Sequence, residues 1–110
     1  MGKRGEIEEV LVDFNPETDG NAKIASLLGH YDEPYLDYCN DMPTIVAVAD
    51  MLTFEERPPY VKQVARGYVC SFRHGGKNYV TKEYRKASHA FAAMIYFTLS
   101  NSVHGEISHE

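Results

Sequence analysis

Apolar and polar positions follow three rhythms along this chain. The first begins near residue 41, where Ile45, Val46, Val48, Ala49 and Leu52 recur at helical spacing. Asp41-Met42-Pro43 marks its start. Proline suits the first turn, where no N–H is needed, and Asp favours the positive end of a helix. The spacing predicts a helix of about ten residues. Arg57-Pro58-Pro59 ends it and restarts the chain in extended form. The second rhythm has period two. Tyr68, Cys70 and Phe72 share one face of a strand predicted over residues 68–73. Residues 60–65 before it and 78–81 after it are further strands. Arg66-Gly67 is a tight turn, and Gly75-Gly76 is a hairpin signal. The third rhythm is a broad helical stripe over residues 84–99, carried by Ala87, Ala90, Phe91, Met94, Ile95, Phe97 and Leu99. Residues 100–110 read as a frayed polar tail.

The first 40 residues are less regular. Residues 6–14 hold Ile7, Val10, Leu11, Val12 and Phe14, which fit either one short strand or a helical turn. The polar cluster from Asn15-Pro16 to Gly20-Asn21 breaks that element. Residues 22–28 form a short helix candidate stopped by Gly29. Tyr31, Tyr35 and Tyr38 then sit among Asp32, Glu33 and Asp37 without a period. They make an arm that packs its tyrosines on the domain or holds a partner. The predicted organisation is an acidic extension over residues 1–40, an ordered domain over 41–101 and a tail over 102–110. The ordered part reads α–β–β–β–α, a two-layer α+β fold. Its sheet is a three-stranded antiparallel meander with two helices on one face.

Composition changes this picture little. With 110 residues and 44 % hydrophobic content, the chain is ordinary globular material for a single domain with a modest core. No apolar run is long enough to span a bilayer. Gly2 is followed by Glu6 where a myristoylation motif wants Ser or Thr, and no apolar leader follows the first residues. The expectation is a soluble, intracellular protein. Cys39 and Cys70 lack CxxC spacing and have no histidines at ligand spacing, so free thiols are expected and no metal. No carboxylate pair, Ser/His/Asp order or glycine-rich phosphate loop is present, so neither an enzyme nor a cofactor is expected.

Charge changes the picture more. The net charge is −5, which alone disfavours a nucleic-acid partner. Its layout is segregated. Residues 5–56 carry thirteen acids and one base, Lys23, a net −12. Residues 57–89 carry eight bases and one acid, Glu83, a net +7. Such asymmetry points to a polyanion-binding body joined to an acidic segment, or to two halves that pair with each other.

The order of elements and several short motifs resemble the double-stranded RNA-binding domain family over about 60 residues. The first helix opens as Met42-Pro43-Thr44-Ile45-Val46-Ala47-Val48-Ala49. Arg57-Pro58-Pro59-Tyr60 leads into the first strand. Phe72-Arg73-His74-Gly75-Gly76-Lys77-Asn78-Tyr79 matches the strand, Gly-Lys turn and aromatic of the family. Arg85-Lys86-Ala87-Ser88-His89, followed by Ala92-Ala93, matches its last helix. The resemblance implies duplex RNA as partner. It also implies that bases at the start of the last helix meet phosphates across the major groove. Lys82, Arg85, Lys86 and His89 would form that clamp, with Lys77 beside it and Arg66 reaching a minor groove. Three features differ from the family. The first helix offers Val48, Ala49 and Asp50 where a polar minor-groove contact is usual. The first hairpin loop is only Ala65-Arg66-Gly67. Tyr84 replaces the usual Ser before the last helix.

These differences leave two other readings open. One is a degenerate domain of this type that serves as a protein-interaction or dimerisation module through its third strand or sheet face. The other is an acidic inhibitor, viral or phage-encoded, whose −12 segment mimics nucleic acid toward a basic protein. Arg73 and His74, with Lys77, flank the second hairpin and could extend the clamp or keep a strand edge soluble, and Lys62 would sit with Arg66 near the first hairpin.

Overall fold

The computed structural model describes residues 7–10, 12–29, 36–52 and 58–109, with backbone alone for residues 102–109. Tyr31, Tyr35, Asp32, Glu33 and Arg57, singled out above, lie outside the described residues. The fold is α+β. In chain order the elements are β1 (Ile7–Glu9), α1 (Gly20–Leu28), α2 (Met42–Ala49), β2 (Tyr60–Val64), β3 (Gly67–His74), β4 (Lys77–Val80) and α3 (Ala87–His109).

The predicted meander is present as β2, β3 and β4, paired antiparallel. Gly75 and Gly76 both take positive φ, 61° and 81°, which the tight turn between β3 and β4 requires. The sheet is nevertheless four-stranded and mixed, in the order β1-β4-β3-β2. The extra strand comes from the N-terminal segment. β1 lies parallel to β4, with Glu8 opposite Tyr79, and Val10 N–H donates to the Val80 carbonyl at 2.9 Å. All three β1 side chains are exposed. Backbone pairing holds this strand, so no apolar alternation announces it.

The helices also depart from the predicted layer. Two helices were expected on the sheet, but among the described residues only α3 packs there, against β2 and β3. α1 and α2 pack on α3 instead. That arrangement explains the breadth of the α3 stripe. Ala90, Ala92, Ala93, Met94 and Ile95 are fully buried, and Ser88, His89, Thr98 and Leu99 nearly so. A helix that is apolar nearly all round is one enclosed on more than one side. Toward the sheet, Phe97 meets Tyr79 at 4.9 Å and Phe72 at 5.6 Å between ring centroids. Elsewhere on α3, Tyr96 stacks on Phe14 at 5.0 Å. α3 runs on to His109 where a polar tail was predicted. α2 is shorter than predicted, at eight residues.

The acidic extension contributes directly to the core. Val10, Phe14, Ile24, Ala25, Tyr38 and Cys39 belong to the same buried cluster as Cys70, Phe72 and Ile95. α1 ends at Gly29, as its sequence predicts. No helix among the described residues is long and apolar enough to cross a membrane.

One close approach locks the sheet to the entry of α3. Tyr68 and Tyr84 exchange backbone hydrogen bonds of 2.8 and 2.9 Å. A Cβ on the neighbouring Gly67 would lie 2.1 Å from the Tyr84 carbonyl oxygen. That oxygen is backbone held in a bridge, so it cannot step aside. Gly67→Ala is expected to destabilise the fold by about 2–3 kcal/mol. Urea denaturation followed by circular dichroism reads this as a lowered midpoint at unchanged slope.

Candidate nucleic-acid interface

The N-terminus of α3 gathers most of the cations that the sequence singles out. The Lys86 carbonyl accepts from the His89 and Ala90 amides, at 3.1 and 3.2 Å, so Lys86 is the capping residue. Lysine has no side-chain oxygen to satisfy the first amides of the helix. Its charge adds to the positive end of the helix dipole rather than opposing it. Arg85 precedes it with its side chain 84 % exposed. Lys82 is exposed and places its ammonium 5.6 Å from the centre of the Tyr84 ring. Arg66, in the β2–β3 turn, is exposed at the same end, because the adjoining Gly67 and Tyr68 contact Tyr84.

Two of the predicted residues stand elsewhere. Lys77 pairs with His74 at the opposite end of β3, about 23 Å away at 3.3 Å per residue. It is not beside the clamp. His89 is at the right end of the molecule but is only 3 % exposed. It therefore supports the surface from behind and offers little face to a phosphate. The reason is helical geometry: His89 lies one turn in from the cap, on a face already turned toward the core.

A hydrogen-bond network joins these groups to the acidic segment. Asn21 and Asn40 both donate to Asp37 Oδ1, at 3.1 and 3.0 Å. Asn40 therefore points its amide nitrogen at the carboxylate and its Oδ1 the other way. That oxygen accepts from Lys86 Nζ at 3.1 Å and meets His89 Nε2 at 2.9 Å. An amide oxygen cannot donate, so His89 carries its proton on Nε2. The Asn21 oxygen in turn accepts from the Cys39 amide at 2.9 Å. On the other flank, Arg85 Nε stands 3.9 Å from Glu17 Oε2. This contact is long and solvent-screened, so it holds Arg85 only weakly. Neither Asn40 nor Glu17 was singled out from sequence. They lie far along the chain from their partners, and no local pattern marks them.

The charge states follow from these contacts. The Asn21 and Asn40 donors, with Lys86 nearby, hold the Asp37 carboxyl below its ordinary value. Burial and then the Lys86 charge push the His89 imidazole below its ordinary 6.5. Burial drives both free thiols, Cys39 and Cys70, up to about 12, so neither is a thiolate nucleophile at neutral pH.

Between the Asp13–Glu17 segment and residues 82–85 runs an open cleft of about 420 Å³. Phe14, Tyr84, Lys82 and His89 line it, and Arg85 faces Glu17 within it. The arrangement can hold anions through exposed cations, with acids close enough to compete. No protein family, curated protein or solved structure matches this chain in comparisons with known proteins.

The His89 shift fixes a sign for stability. The unfolded chain takes up a proton near pH 6.5, whereas the folded chain takes it up only at lower pH. Stability contributed by neutral His89 is thus present above about pH 6.5 and falls as pH drops below it. Asp37 acts in a separate, lower window, losing its contribution as pH falls below its ordinary 3.8. The midpoint of urea unfolding is expected to decline between about pH 7.5 and 5.5, and His89→Gln is expected to flatten that decline.

Proposed function

We propose that this chain binds duplex RNA through backbone phosphates at the N-terminal end of α3, as a binding protein rather than an enzyme. One observation carries the reading. Lys82, Arg85, Lys86 and Arg66 converge at that end, exposed, around a helix start whose dipole and capping residue are both positive. Phosphates are the natural ligands of such a surface, because they accept from Arg and Lys without requiring base readout. The antiparallel β2–β3–β4 sheet followed by α3 supports the resemblance noted from sequence.

The structure narrows what kind of contact is proposed. The β2–β3 connection is two residues, too short to enter a minor groove. α2 presents Thr44 and Ala47, and Asp50 just after it, in place of a long polar side chain. Lys77 is too distant to share the same phosphates. The footprint is therefore one patch of about four phosphates, and affinity is modest and strongly salt-dependent. The Glu17 and Asp37 carboxylates lower it further by competing for Arg85 and Lys86.

Four neutralised phosphates give a log–log salt slope of about −3.6, at roughly −0.9 per phosphate. Removing two cations halves it. An anisotropy titration with a ~20-base-pair RNA duplex, a matched DNA duplex and single-stranded RNA checks this across a salt series. Binding of the RNA duplex with a slope near that value is expected, and about −1.8 for Arg85→Ala/Lys86→Ala. A flat slope, or a double variant that binds as the parent does, refutes the proposal.

A further inference from the structure

We propose that the groove between α1 and α2 docks a basic amphipathic helix of a protein partner. This site is independent of the phosphate-binding reading. The groove encloses about 440 Å³ and is apolar along its length, with Leu28 from α1, Leu36 and Tyr38 from the connecting turn, and Pro43, Ala47 and Met51 from α2 and its end. Leu36 is 55 % exposed, Met51 66 % and the neighbouring Val46 39 %. Two large apolar side chains of the groove, Leu36 and Met51, left in water mark a surface for association. α2 itself, Met42–Ala49, carries no charged residue.

Charge selects the occupant. Asp41 and Asp50 are exposed next to lining residues in sequence, Asp41 two residues before Pro43 and Asp50 beside Met51, while Asp37 turns Oδ1 to Asn21 and Asn40. Residues 36–52 contain no Lys or Arg. The base on α1, Lys23, is engaged by Asp13 at 3.5 Å and Asp19 at 3.9 Å. An apolar floor with an acidic rim fits a helix with apolar anchors at i, i+3, i+4 and i+7 and Lys or Arg beside them. It disfavours nucleic acid, whose phosphates would meet the exposed Asp41 and Asp50 with no Lys or Arg in residues 36–52. It also disfavours a second copy, since two such grooves would bring their acidic rims together.

A defined peptide tests the inference. The probe is a fluorescein-labelled 14-residue peptide of Leu and Lys, with Leu at i, i+3, i+4 and i+7 spacing. Its controls are the same pattern in Leu and Glu, and a Leu–Lys peptide of equal composition with the spacing scrambled. The full-length chain is titrated by anisotropy, and peptide helicity is followed by circular dichroism. The patterned Leu–Lys peptide is expected to bind and gain helicity, at least tenfold tighter than either control. Leu36→Lys/Met51→Lys changes two exposed positions, so it keeps the melting profile of the parent and is expected to weaken binding at least tenfold. Equal binding of the scrambled peptide, or an unchanged affinity in the variant, would mean that only charge attracts it and would overturn the proposal. So would no binding at all. Concentration-dependent dimerisation abolished by Leu36→Lys/Met51→Lys would also overturn it, by making a second copy the occupant.

Discussion

The structure depends on how completely α3 is enclosed. The sheet takes one part of its surface, and α1 and α2 take another, so neither helical pair nor sheet makes a core without it. Each apolar group that this helix removes from water adds to one shared stabilisation, and the side chains are small where elements approach most closely. Ala90, Ala92 and Ala93 let neighbouring backbones come near, while Met94 and Ile95 fill the remaining space. Enclosure on this scale cannot be supplied by residues 41–101 alone. Phe14, Ile24 and Tyr38 come from the acidic segment, which is why that segment is part of the folded body.

The same economy governs the polar groups. Asp37, Asn40 and Asn21 form a hinge of hydrogen bonds between α1, the turn before α2 and the start of α3. Tyr38 sits within that turn and lines the apolar groove, two residues from the amide that holds Lys86 and His89. Acidic and basic parts of the chain thus meet at one edge without neutralising each other. Among the described residues, the contact of Arg85 with Glu17 is long and exposed, and Lys86 reaches Asp37 only through the Asn40 amide.

Much of the fold was legible in the chain, and the missing parts share a cause. The β3–β4 turn, the start of α2 and the stop of α1 follow from single residues whose conformational preferences act locally. The apolar stripe of α3 was legible as a helix, but not that its breadth meant enclosure on several sides. β1 was ambiguous because Ile7, Glu8 and Glu9 bury no side chain, and strand pairing through the backbone leaves no residue signature. At the candidate interface, Arg85 and Lys86 stood out as a charged pair before an apolar helix. His89 was misplaced because its helical phase relative to the core depends on which face of α3 the sheet covers. Asn40 and Glu17 were invisible for a different reason: their roles exist only after distant segments have docked.

The pairing of β1 with β4 has a consequence for how the chain must assemble. Ile7 finds its place opposite Asn78, so the first of the described strands in chain order waits for the last one. A crossover of this length is slow to close, because chain entropy is lost before any contact is gained. β2, β3 and β4 are joined by two-residue turns and can pair early, but β4 would then present an open edge until β1 arrives. That interval is when such a strand is vulnerable to pairing with another molecule. The two glutamates of β1 give the waiting segment charge, and its three-residue length gives it little capacity for wrong partners. The strand that looks least important for stability therefore covers the β4 edge at the end of folding and leaves a short, charged strand as the edge in its place.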